Sequence, residues 1–428
     1  MATRVFHGDF STPADFLARR DLLAALAGTE FPVFLSLPSG KAIPWAAEFL
    51  RLLKELRPAV KVVVGGRWVL REDVSWLRPA LGGGDLFVFG TAERRIVDLL
   101  RPENWAGVAY TDRTFPASGP EFPLRDLPDL DYTLLAGYPD YTTSLEVSRG
   151  CGMGCSFCLE RDVPLQTLRT PANVVANLDR YARLFGTNIT PYFECSFFRP
   201  PATWIAEFAD RYKAEGLTVR WRTESRVDSL TPSQLERLAA GGLKVIDLGL
   251  ESASARQLLA MRKTTRPDVY LRKADELLRT CAENGIWTKV NVLLYAGETE
   301  ATLGETLDWL ERRRSWIKGL SVNPLVVYRD GTSADGYLRS LRELGARPVA
   351  EGSLETLGFV DLHLSEDFDW VNSLERCLRI GQSFMTARDY FDLKSFSYFP
   401  RSLTWHRFEI VVAQTPKAIL PFRQNSQP

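Results

Sequence analysis

The pattern of apolar and polar residues predicts strands and helices in regular succession after about residue 140. Short apolar or alternating runs, typical of strands, occupy residues 144–150, 190–196, 217–223, 243–250, 287–294 and 320–327. Between them apolar residues recur every three or four positions, the period of amphipathic helices, at 171–185, 203–215, 232–240, 266–284 and 300–314. Six strands alternating with helices predict an α/β fold whose parallel sheet curls into a partial (β/α)6 TIM-type barrel.

The flanking regions have different patterns. Strands are predicted at 32–37, 60–66 and 85–90, with helices at 45–57 and 91–100, which gives a small doubly wound α/β domain over residues 1–124. The barrel then spans residues 125–335. Residues 336–428 are rich in aromatic side chains and predict a C-terminal cap, serving either as a structural closure or as a substrate lid.

Composition narrows the range of partners. The chain has 428 residues, with 53 basic and 53 acidic side chains, so no net field attracts it to nucleic acid or to an anionic membrane. No apolar run reaches the roughly 18 residues that a membrane-spanning helix needs. We therefore expect a cytoplasmic protein that acts on a small molecule, without a nucleic-acid or membrane partner.

Three cysteines lie close together after the first barrel strand. Cys151, Cys155 and Cys158 have the spacing C-x3-C-x2-C, with glycines at 150, 152 and 154 that allow the backbone to wrap tightly. Three thiolates on one loop can hold three irons of a 4Fe–4S cluster and leave the fourth iron without a protein ligand. Such an open iron can bind a small molecule, which indicates chemistry as well as electron storage.

A zinc site or a disulfide framework fits the cysteines less well. A structural zinc site needs four ligands, and the three histidines, at positions 7, 363 and 406, are all remote from the loop. Six cysteines in a chain of this length, with no signal-peptide pattern at its start, do not predict a disulfide framework. Cys195, Cys281 and Cys377 are scattered singly and are expected to pack as small apolar side chains.

Ligands of parallel barrels gather at the carboxyl ends of the strands, and this rule selects further candidates. These are Glu194 after the second strand, Arg226 after the third, Glu251 and Ser252 after the fourth, and Gly297 after the fifth. Glu251 and Ser252 are also suited to capping the next helix. Arg226 could instead pair with Asp228 at the surface.

The cysteine loop, with Phe157 just before its last cysteine, resembles the signature of radical S-adenosylmethionine (SAM) enzymes. The resemblance implies one 4Fe–4S cluster whose open iron chelates SAM, followed by cleavage of SAM to a 5′-deoxyadenosyl radical. It also implies an electron donor such as flavodoxin or ferredoxin. By the same resemblance Phe157 and Gly297 lie near the adenine, Glu194 near the SAM amino group, and Glu251 and Ser252 against SAM.

The first 124 residues resemble the cobalamin-binding domain that precedes many of these barrels. The domain is short, and the cobalamin-ligand motif Asp-x-His-x-x-Gly is missing, so we expect that cobalamin is not bound. Some members of the family bind cobalamin without that histidine. Lys41, Trp68 and Asp85, each near a predicted strand end, are candidates for the substrate pocket.

Three outcomes of hydrogen abstraction compete. The first is dehydration of a vicinal diol in an amino sugar such as paromamine, because the domain layout is similar to that of radical SAM diol dehydratases. Since histidine is scarce, Glu194, Tyr192, Lys41 and Asp85 are the candidate proton-transfer groups. The second is methyl transfer from methylcobalamin, and the third is epimerisation, decarboxylation or ring formation. An electron-transfer or iron-sensing protein would leave the strand-end residues unexplained.

Overall fold

The computed structural model describes residues 3–8, 11–69, 74–90, 92–93, 96–105, 114–116, 124, 127–329 and 333–423. The strands are β1 Val33–Ser36, β2 Val62–Gly65, β3 Leu86–Phe89, β4 Thr114–Pro116, β5 Ser144–Glu146, β6 Tyr192–Glu194, β7 Trp221–Arg226, β8 Leu243–Glu251, β9 Trp287–Leu294, β10 Gly319–Pro324, β11 Val326–Tyr328, β12 Arg347–Pro348 and β13 Phe359–His363. Within the described residues, no helix is both long and apolar enough to cross a membrane.

Fifteen α-helices lie among the described residues. They are α1 Pro13–Leu17, α2 Arg20–Ala27, α3 Ile43–Leu56, α4 Val74–Leu81, α5 Pro171–Phe185, α6 Ala202–Ala214, α7 Pro232–Ala240, α8 Ala255–Ala260, α9 Pro267–Glu283, α10 Glu300–Glu311, α11 Ser333–Glu343, α12 Ser353–Leu357, α13 Trp370–Phe384, α14 Ala387–Ser395 and α15 Trp405–Gln414. Capping boxes begin α7 at Thr231 and α10 at Thr299, because each threonine side chain and its partner three residues on satisfy exposed backbone N–H groups. The chain divides into two compact units.

The first unit contains residues 1–138, 326–339 and 350–360. Its sheet is parallel with strand order β1-β2-β3-β4, and an apolar cluster around Val63, Leu86 and Val88 forms part of its core. The predicted glycine turn after β2 is present: Gly66 has a φ of 98°, and a Cβ there would lie 2.7 Å from the backbone N of Leu37. The turn therefore needs glycine.

The predicted helix at 91–100 is wrong. The structure has a 3-10 helix at Ile96–Leu100, while residues 91, 94 and 95 lie outside the described part of the chain. The apolar side chains that suggested a long helix are largely exposed: Val97 keeps 69% of its surface accessible. Among the described residues of this segment, Leu99 alone is deeply buried, which a single 3-10 turn achieves without a helix face.

The second unit contains residues 139–325, 340–349 and 361–428. Its six parallel strands follow the chain order from β5 to β10, which confirms the α/β fold with a partial barrel. The predicted strand at 217–223 begins too early, since β7 is Trp221–Arg226, and Glu224 and Arg226 lie within the strand rather than after it. The predictions at 287–294 and 171–185 match β9 and α5.

The two faces of the barrel sheet can be assigned from its aromatic contacts. Phe193 of β6 stacks on Trp221 of β7, with ring centroids 4.1 Å apart, and both rings contact Phe208 of α6. This face is therefore covered by helices. Because successive side chains on a strand alternate, Arg222, Glu224 and Arg226 point to the opposite face, into the barrel interior.

The C-terminal region closes the amino end of the barrel. The backbone carbonyl of Leu393 accepts a hydrogen bond of 2.6 Å from Arg222, near the start of β7. Leu393 and Phe396 pack with Val245 and Trp287, near the starts of β8 and β9. The segment therefore packs with the barrel as one compact unit. The division into three domains stays a prediction.

Six aromatic side chains of the C-terminal region pack together in one cluster. The cluster comprises Met385, Ala387, Phe391, Phe408, Val412, Leu420 and Phe422, with Tyr390, Phe399, Leu403 and Trp405 at its edge. The cysteine loop follows β5 at the opposite, carboxyl end of the strands. This aromatic cluster therefore acts as structural closure, and the interpretation of the C-terminal region as a substrate lid gains no support from it.

Candidate active site at the carboxyl end of the barrel

The cysteine loop is held by backbone hydrogen bonds to the segment that follows it. The N–H of Cys151 donates to the carbonyl of Val163 at 2.8 Å, and the N–H of Gly152 donates to Glu160 at 3.2 Å. Gly150 has a φ of 72°, and a Cβ there would lie 2.2 Å from the carbonyl oxygen of Pro164. Only glycine allows the chain to pass so close to itself at this point.

The loop presents three free thiols, and two of their sulfurs already accept hydrogen bonds. The backbone N–H of Glu160 donates to Sγ of Cys158 at 3.4 Å. The guanidinium of Arg226 donates to Sγ of Cys155, also at 3.4 Å. Donors aimed at sulfur are what cluster thiolates require, so the loop fits a cysteine-bound iron–sulfur cluster.

Without a metal, the thiols of Cys151 and Cys158 resist ionisation. Burial raises the pKa of Cys151 and of Cys158, and negative charge on the neighbouring sulfurs raises both further. Metal coordination removes this obstacle because the metal deprotonates its thiol ligands. Among the residues that the structure describes, no group of three or more His, Cys, Asp or Glu is placed to hold one metal ion. A cluster does not need such convergence, since each cysteine binds a different iron.

Arg226 connects the cysteine loop to the barrel. Besides Cys155 it donates to the backbone carbonyl of Lys263 at 2.8 Å and pairs with Asp228 at 2.9 Å. Its guanidinium also lies 5.7 Å from the ring of Tyr270. The ion pair with Asp228 is thus present, although Arg226 is buried rather than at the surface, and it orients the side chain that reaches the cysteine sulfur. A contact of Arg226 with SAM remains a prediction.

Glu251 lies at the end of β8 in an unusual conformation. Its φ is 67°, a region that non-glycine residues rarely adopt and that often marks functional sites. The carboxylate pairs with Lys263 at 2.9 Å, and both side chains are largely buried. The ammonium of Lys263 also lies 5.8 Å from the ring of Phe157, so these predicted cofactor residues come together beside the cysteine loop.

Two other predicted cofactor residues have structural roles. The buried hydroxyl of Ser252 contacts Oγ1 of Thr306 at 3.0 Å and accepts a hydrogen bond from the backbone N of Ser254. Gly297 has a φ of 73°, and its N–H donates to the carbonyl of Leu364 at 2.8 Å. Their contacts with SAM remain predictions. Ser252 does not cap the next helix as the alternative proposed, because the N-cap of that helix is Ser254 and Ser252 bonds the backbone N of Ser254 instead.

Glu194 is the exposed carboxylate at the end of β6. Its strand partner is Glu146, which ends β5 and is itself paired with Arg149 at 2.7 Å. Although Glu194 reaches solvent, burial by the surrounding barrel raises its pKa, a hydrogen bond with Ser144 offsets part of this, and the charge of Glu146 adds to it. Glu194 is available to a cationic group, as the prediction requires.

Tyr192 lies deeper in the barrel than Glu194. Burial raises its pKa far above the ordinary value, and the nearby carboxylate of Glu224 contributes to the shift. Tyr192 hydrogen-bonds to Glu224 and its ring lies 6.0 Å from that of Tyr398 in the C-terminal region. The phenol therefore holds its proton and is a poor acid, and its main effect is on Glu224.

The two candidates in the first unit differ from their predicted roles. Asp85 precedes β3, at the amino end of the sheet, and pairs with Lys54 and Lys61 at 2.9 Å. Burial alone would raise the pKa of Asp85, but hydrogen bonds from both lysines hold it below its ordinary value. These contacts make Asp85 a structural residue and correct its assignment as a catalytic one. Lys41 is exposed in the 3-10 helix Gly40–Ala42. Its role in proton transfer remains a prediction.

Sequence reasoning missed several residues of the site. Lys263 was not singled out, although it contacts Glu251, and Tyr270, whose hydroxyl donates to the carbonyl of Gly249 at 2.9 Å, was also missed. Asp247 and Lys289 lie inside β8 and β9 and face the barrel interior. Asp247 and Lys289 could have been singled out because they are charged residues within otherwise apolar strands. An isolated buried charge is costly, so a charge at such a position indicates a partner or a ligand.

Comparison with known proteins supports the assignment of the barrel. The family model for the Radical SAM superfamily matches residues 145–310, which are therefore a radical SAM domain. The chain is 28% identical over 282 residues to tRNA-2-methylthio-N(6)-dimethylallyladenosine synthase of Mycolicibacterium gilvum (strain PYR-GCK), covering 61% of this chain and 52% of that protein. This chain thus spans about half the length of that relative.

Two solved structures share the fold. The radical SAM methyltransferase TsrM from Kitasatospora setae matches with a TM-score of 0.59 at 18% identity, covering 79% of this chain and 70% of that one. The cobalamin-dependent SAM radical enzyme OxsB matches with a TM-score of 0.53 at 20% identity, covering 76% and 48%. At such identities the likeness shows the fold alone.

Proposed function

We propose that this chain cleaves SAM reductively at a 4Fe–4S cluster held by Cys151, Cys155 and Cys158, and that the resulting radical abstracts a hydrogen atom from a small polar substrate. The observation that carries the proposal is the cysteine loop, with three free thiols and a guanidinium donating to one of them. The match of the radical SAM family model over the same stretch supports it.

When bound, such a cluster supplies the electron that splits SAM into methionine and a 5′-deoxyadenosyl radical. The residues of the chain bind and orient the reactants. Arg226 holds the thiolate of Cys155, Glu194 accepts the SAM ammonium group, and Phe157 packs near the adenine. Glu251, anchored by Lys263, shapes the same end of the barrel.

The first candidate outcome is dehydration of a vicinal diol in an amino sugar such as paromamine. What supports it is the polar barrel interior, where Tyr192 and Glu224 are hydrogen-bonded and Glu194 is accessible. A carboxylate with a raised pKa can exchange protons near neutral pH, as removal of a hydroxyl as water requires. The comparisons supply no support for dehydration beyond the shared domain.

The second candidate outcome is methyl transfer. What supports it is the likeness of the fold to TsrM and OxsB, which are a methyltransferase and a cobalamin-dependent enzyme respectively. The expectation that cobalamin is not bound therefore becomes the point that separates the two candidates. Stoichiometric binding of hydroxocobalamin, seen by visible spectroscopy after gel filtration, would favour methyl transfer and count against dehydration.

The expected partners are also proposals. A flavodoxin or ferredoxin is the proposed electron donor, and the balanced charge of the chain argues against nucleic acid. The M. gilvum relative is named for a modified tRNA nucleoside, so RNA is a real alternative. Filter binding of total tRNA at physiological salt tests it, and we expect retention no greater than for an unrelated neutral protein.

The experiment that tests the proposed function is anaerobic reconstitution with iron and sulfide, followed by SAM and dithionite. We expect about four irons per chain and release of 5′-deoxyadenosine. Cys155→Ala should lose both, because one cluster ligand and the sulfur partner of Arg226 are removed together.

Cys281→Ala is the matched control, since Cys281 is a fully buried cysteine on α9 outside the loop. It should keep both the iron and the release of 5′-deoxyadenosine. Equal 5′-deoxyadenosine release by Cys155→Ala and Cys281→Ala would show that the loop is not the reactive centre. Dehydration and methyl transfer are then separated by the mass of the product formed from paromamine.

A further inference from the structure

The barrel interior contains a layer of charged side chains below the cysteine loop. Arg226, which contacts Cys155, and Glu224 lie on the same face of β7, two residues apart. A strand rises about 3.3 Å per residue, so Glu224 lies roughly 7 Å farther into the barrel than Arg226. In the sheet register Glu224 is aligned with Asp247 of β8, and Asp247 with Lys289 of β9.

Two residues of this layer, Arg222 and Asp247, already have all their bonds satisfied within the protein. Arg222 donates to both carboxylate oxygens of Asp247, at 2.6–2.9 Å, and the two side chains are 0% and 3% exposed. Arg222 also donates to the carbonyl of Leu393 in the C-terminal region. A bidentate buried pair of this kind satisfies both charges and leaves no capacity for a ligand.

The other two residues, Lys289 and Glu224, can still form bonds with a ligand. Lys289 is 3.6 Å from Asp247 and its side chain is 17% exposed, so only part of its donor capacity is used. Among the described residues the carboxylate of Glu224 forms no ion pair, and its hydrogen-bond partner is the phenol of Tyr192. Burial and the charge of Asp247 raise the pKa of Glu224, and its bond to Tyr192 and the charges of Lys289 and Arg222 offset only part of this. An ammonium group from a ligand would stabilise the ionised carboxylate further.

The residues above this pair are polar and uncharged. Asn291 of β9 is aligned with Ser321 of β10, and the amide of Asn323 donates to the hydroxyl of Ser321 at 3.3 Å. These side chains are half-buried or exposed, so they can form hydrogen bonds with a ligand. An apolar substrate would leave them unsatisfied, whereas hydroxyl groups would match them.

We propose that Glu224 and Lys289 bind the substrate directly and make the enzyme specific for small amine-bearing polyols or amino acids. Glu224 accepts hydrogen bonds from the substrate ammonium group, and Lys289 donates to a hydroxyl or carboxylate oxygen. Tyr192 is a positioning residue that orients Glu224. The C-terminal region behind Arg222 limits how deeply the substrate enters. This inference rests on the proposed function, because it assumes that the reactive end of the barrel is the end bearing the cysteines.

The test measures ligand-induced thermal stabilisation of the reconstituted protein with SAM present and no reductant. The probes are paromamine and glucosamine, with glucose as a neutral match that lacks the amine. We expect both amines to raise the unfolding temperature of the wild type in a concentration-dependent way, and glucose to leave it unchanged. Glu224→Gln should weaken amine binding about tenfold or more, because the ammonium loses its counter-charge.

Two further variants serve as controls for charge and for surface effects. Glu224→Asp keeps the charge on a shorter side chain and should bind the amines with intermediate affinity. Glu236→Gln alters an exposed carboxylate on α7 and should bind them like the wild type. Equal amine affinity in Glu224→Gln and wild type, equal stabilisation by glucose, or no stabilisation by either amine would overturn the proposal.

The result is independent of radical chemistry because no reductant is present. A protein that releases 5′-deoxyadenosine in a separate assay yet shows no preference for amines would overturn this inference alone. A protein that binds amines through Glu224 but never cleaves SAM would overturn the proposed function and leave the binding site standing.

Discussion

The two ends of the same barrel sheet differ in what their side chains are free to do. At the carboxyl end, Cys151, Cys158 and Glu194 retain solvent access. At the amino end, Arg222 and the aromatic cluster of the C-terminal region are satisfied by protein partners. The amino end thus carries contacts that stabilise the fold, whereas the carboxyl end carries the side chains that fit a reactive centre, as expected of a parallel barrel.

The largest expected effect separates two glycines of the cysteine loop. Gly150 and Gly154 have nearly the same φ, 72° and 73°, but a Cβ at Gly150 would lie 2.2 Å from the carbonyl oxygen of Pro164, whereas none is crowded at Gly154. Gly150→Ala should therefore lose the iron after reconstitution. Gly154→Ala should keep most of it, because only the backbone strain of about 1–2 kcal/mol is added. Similar iron content in the two variants would contradict this account of the loop.

The next effect concerns the amino end. Phe408 is 7% exposed and contacts the rings of Tyr390, Phe391, Phe399 and Phe422. Phe408→Ala should lower the free energy of unfolding by roughly 3–5 kcal/mol, measured by urea denaturation, because it leaves a cavity in the cluster. The iron content of the folded fraction should not change.

Ile410 offers a control on the same helix. It is 46% exposed, so Ile410→Ala should cost well under half as much as Phe408→Ala. Folded Phe408→Ala protein that no longer cleaves SAM would contradict the distinction between the two ends, since the aromatic cluster would then contribute to activity as well as to stability.

A smaller effect should appear as a pH dependence of stability. Glu298, in the turn after β9, is 2% exposed, and burial raises its pKa from 4.5 to about 7 despite a hydrogen bond from Thr302. The folded state then holds a proton that the unfolded state releases between pH 4.5 and 7. Stability is therefore lost as the pH rises through this window, by up to about 3 kcal/mol.

Glu298→Gln should remove this dependence, since the amide does not titrate. Urea midpoints of wild type and variant, measured from pH 5 to pH 8, should diverge in favour of the variant as the pH rises. Parallel curves would show that Glu298 is stabilised as a carboxylate by its contacts and does not bind a proton in the folded state.

Local patterns in the sequence predicted much of the fold. Alternation and helical spacing located all six barrel strands, because each strand and helix buries a face that its own residues define. The boundaries shifted where polar residues face the barrel interior, as in β7, whose Arg222 and Glu224 interrupt the apolar pattern. The glycine turns and the cluster-binding cysteines of the loop could be predicted, because each depends only on residues that are close together in the sequence.

The remaining features depend on contacts that no local pattern contains. The hydrogen bond between Arg222 and Leu393 joins residues 171 positions apart, so the closure of the amino end could not be predicted. Asp85 was misjudged for a related reason, since only the structure shows that it lies before its strand beside two lysines. Glu224 and Lys289 form one layer only through the register of three strands.

The most direct test of the central claim is electron paramagnetic resonance of the reconstituted, reduced protein with and without SAM. If Cys151, Cys155 and Cys158 hold a 4Fe–4S cluster with an open iron, the signal of the reduced cluster should change when SAM is added, because SAM becomes a ligand of that iron. The signal should be absent from Cys155→Ala. The account would be contradicted if the protein with all three cysteines intact bound no cluster. It would also be contradicted if the cluster signal did not change at saturating SAM.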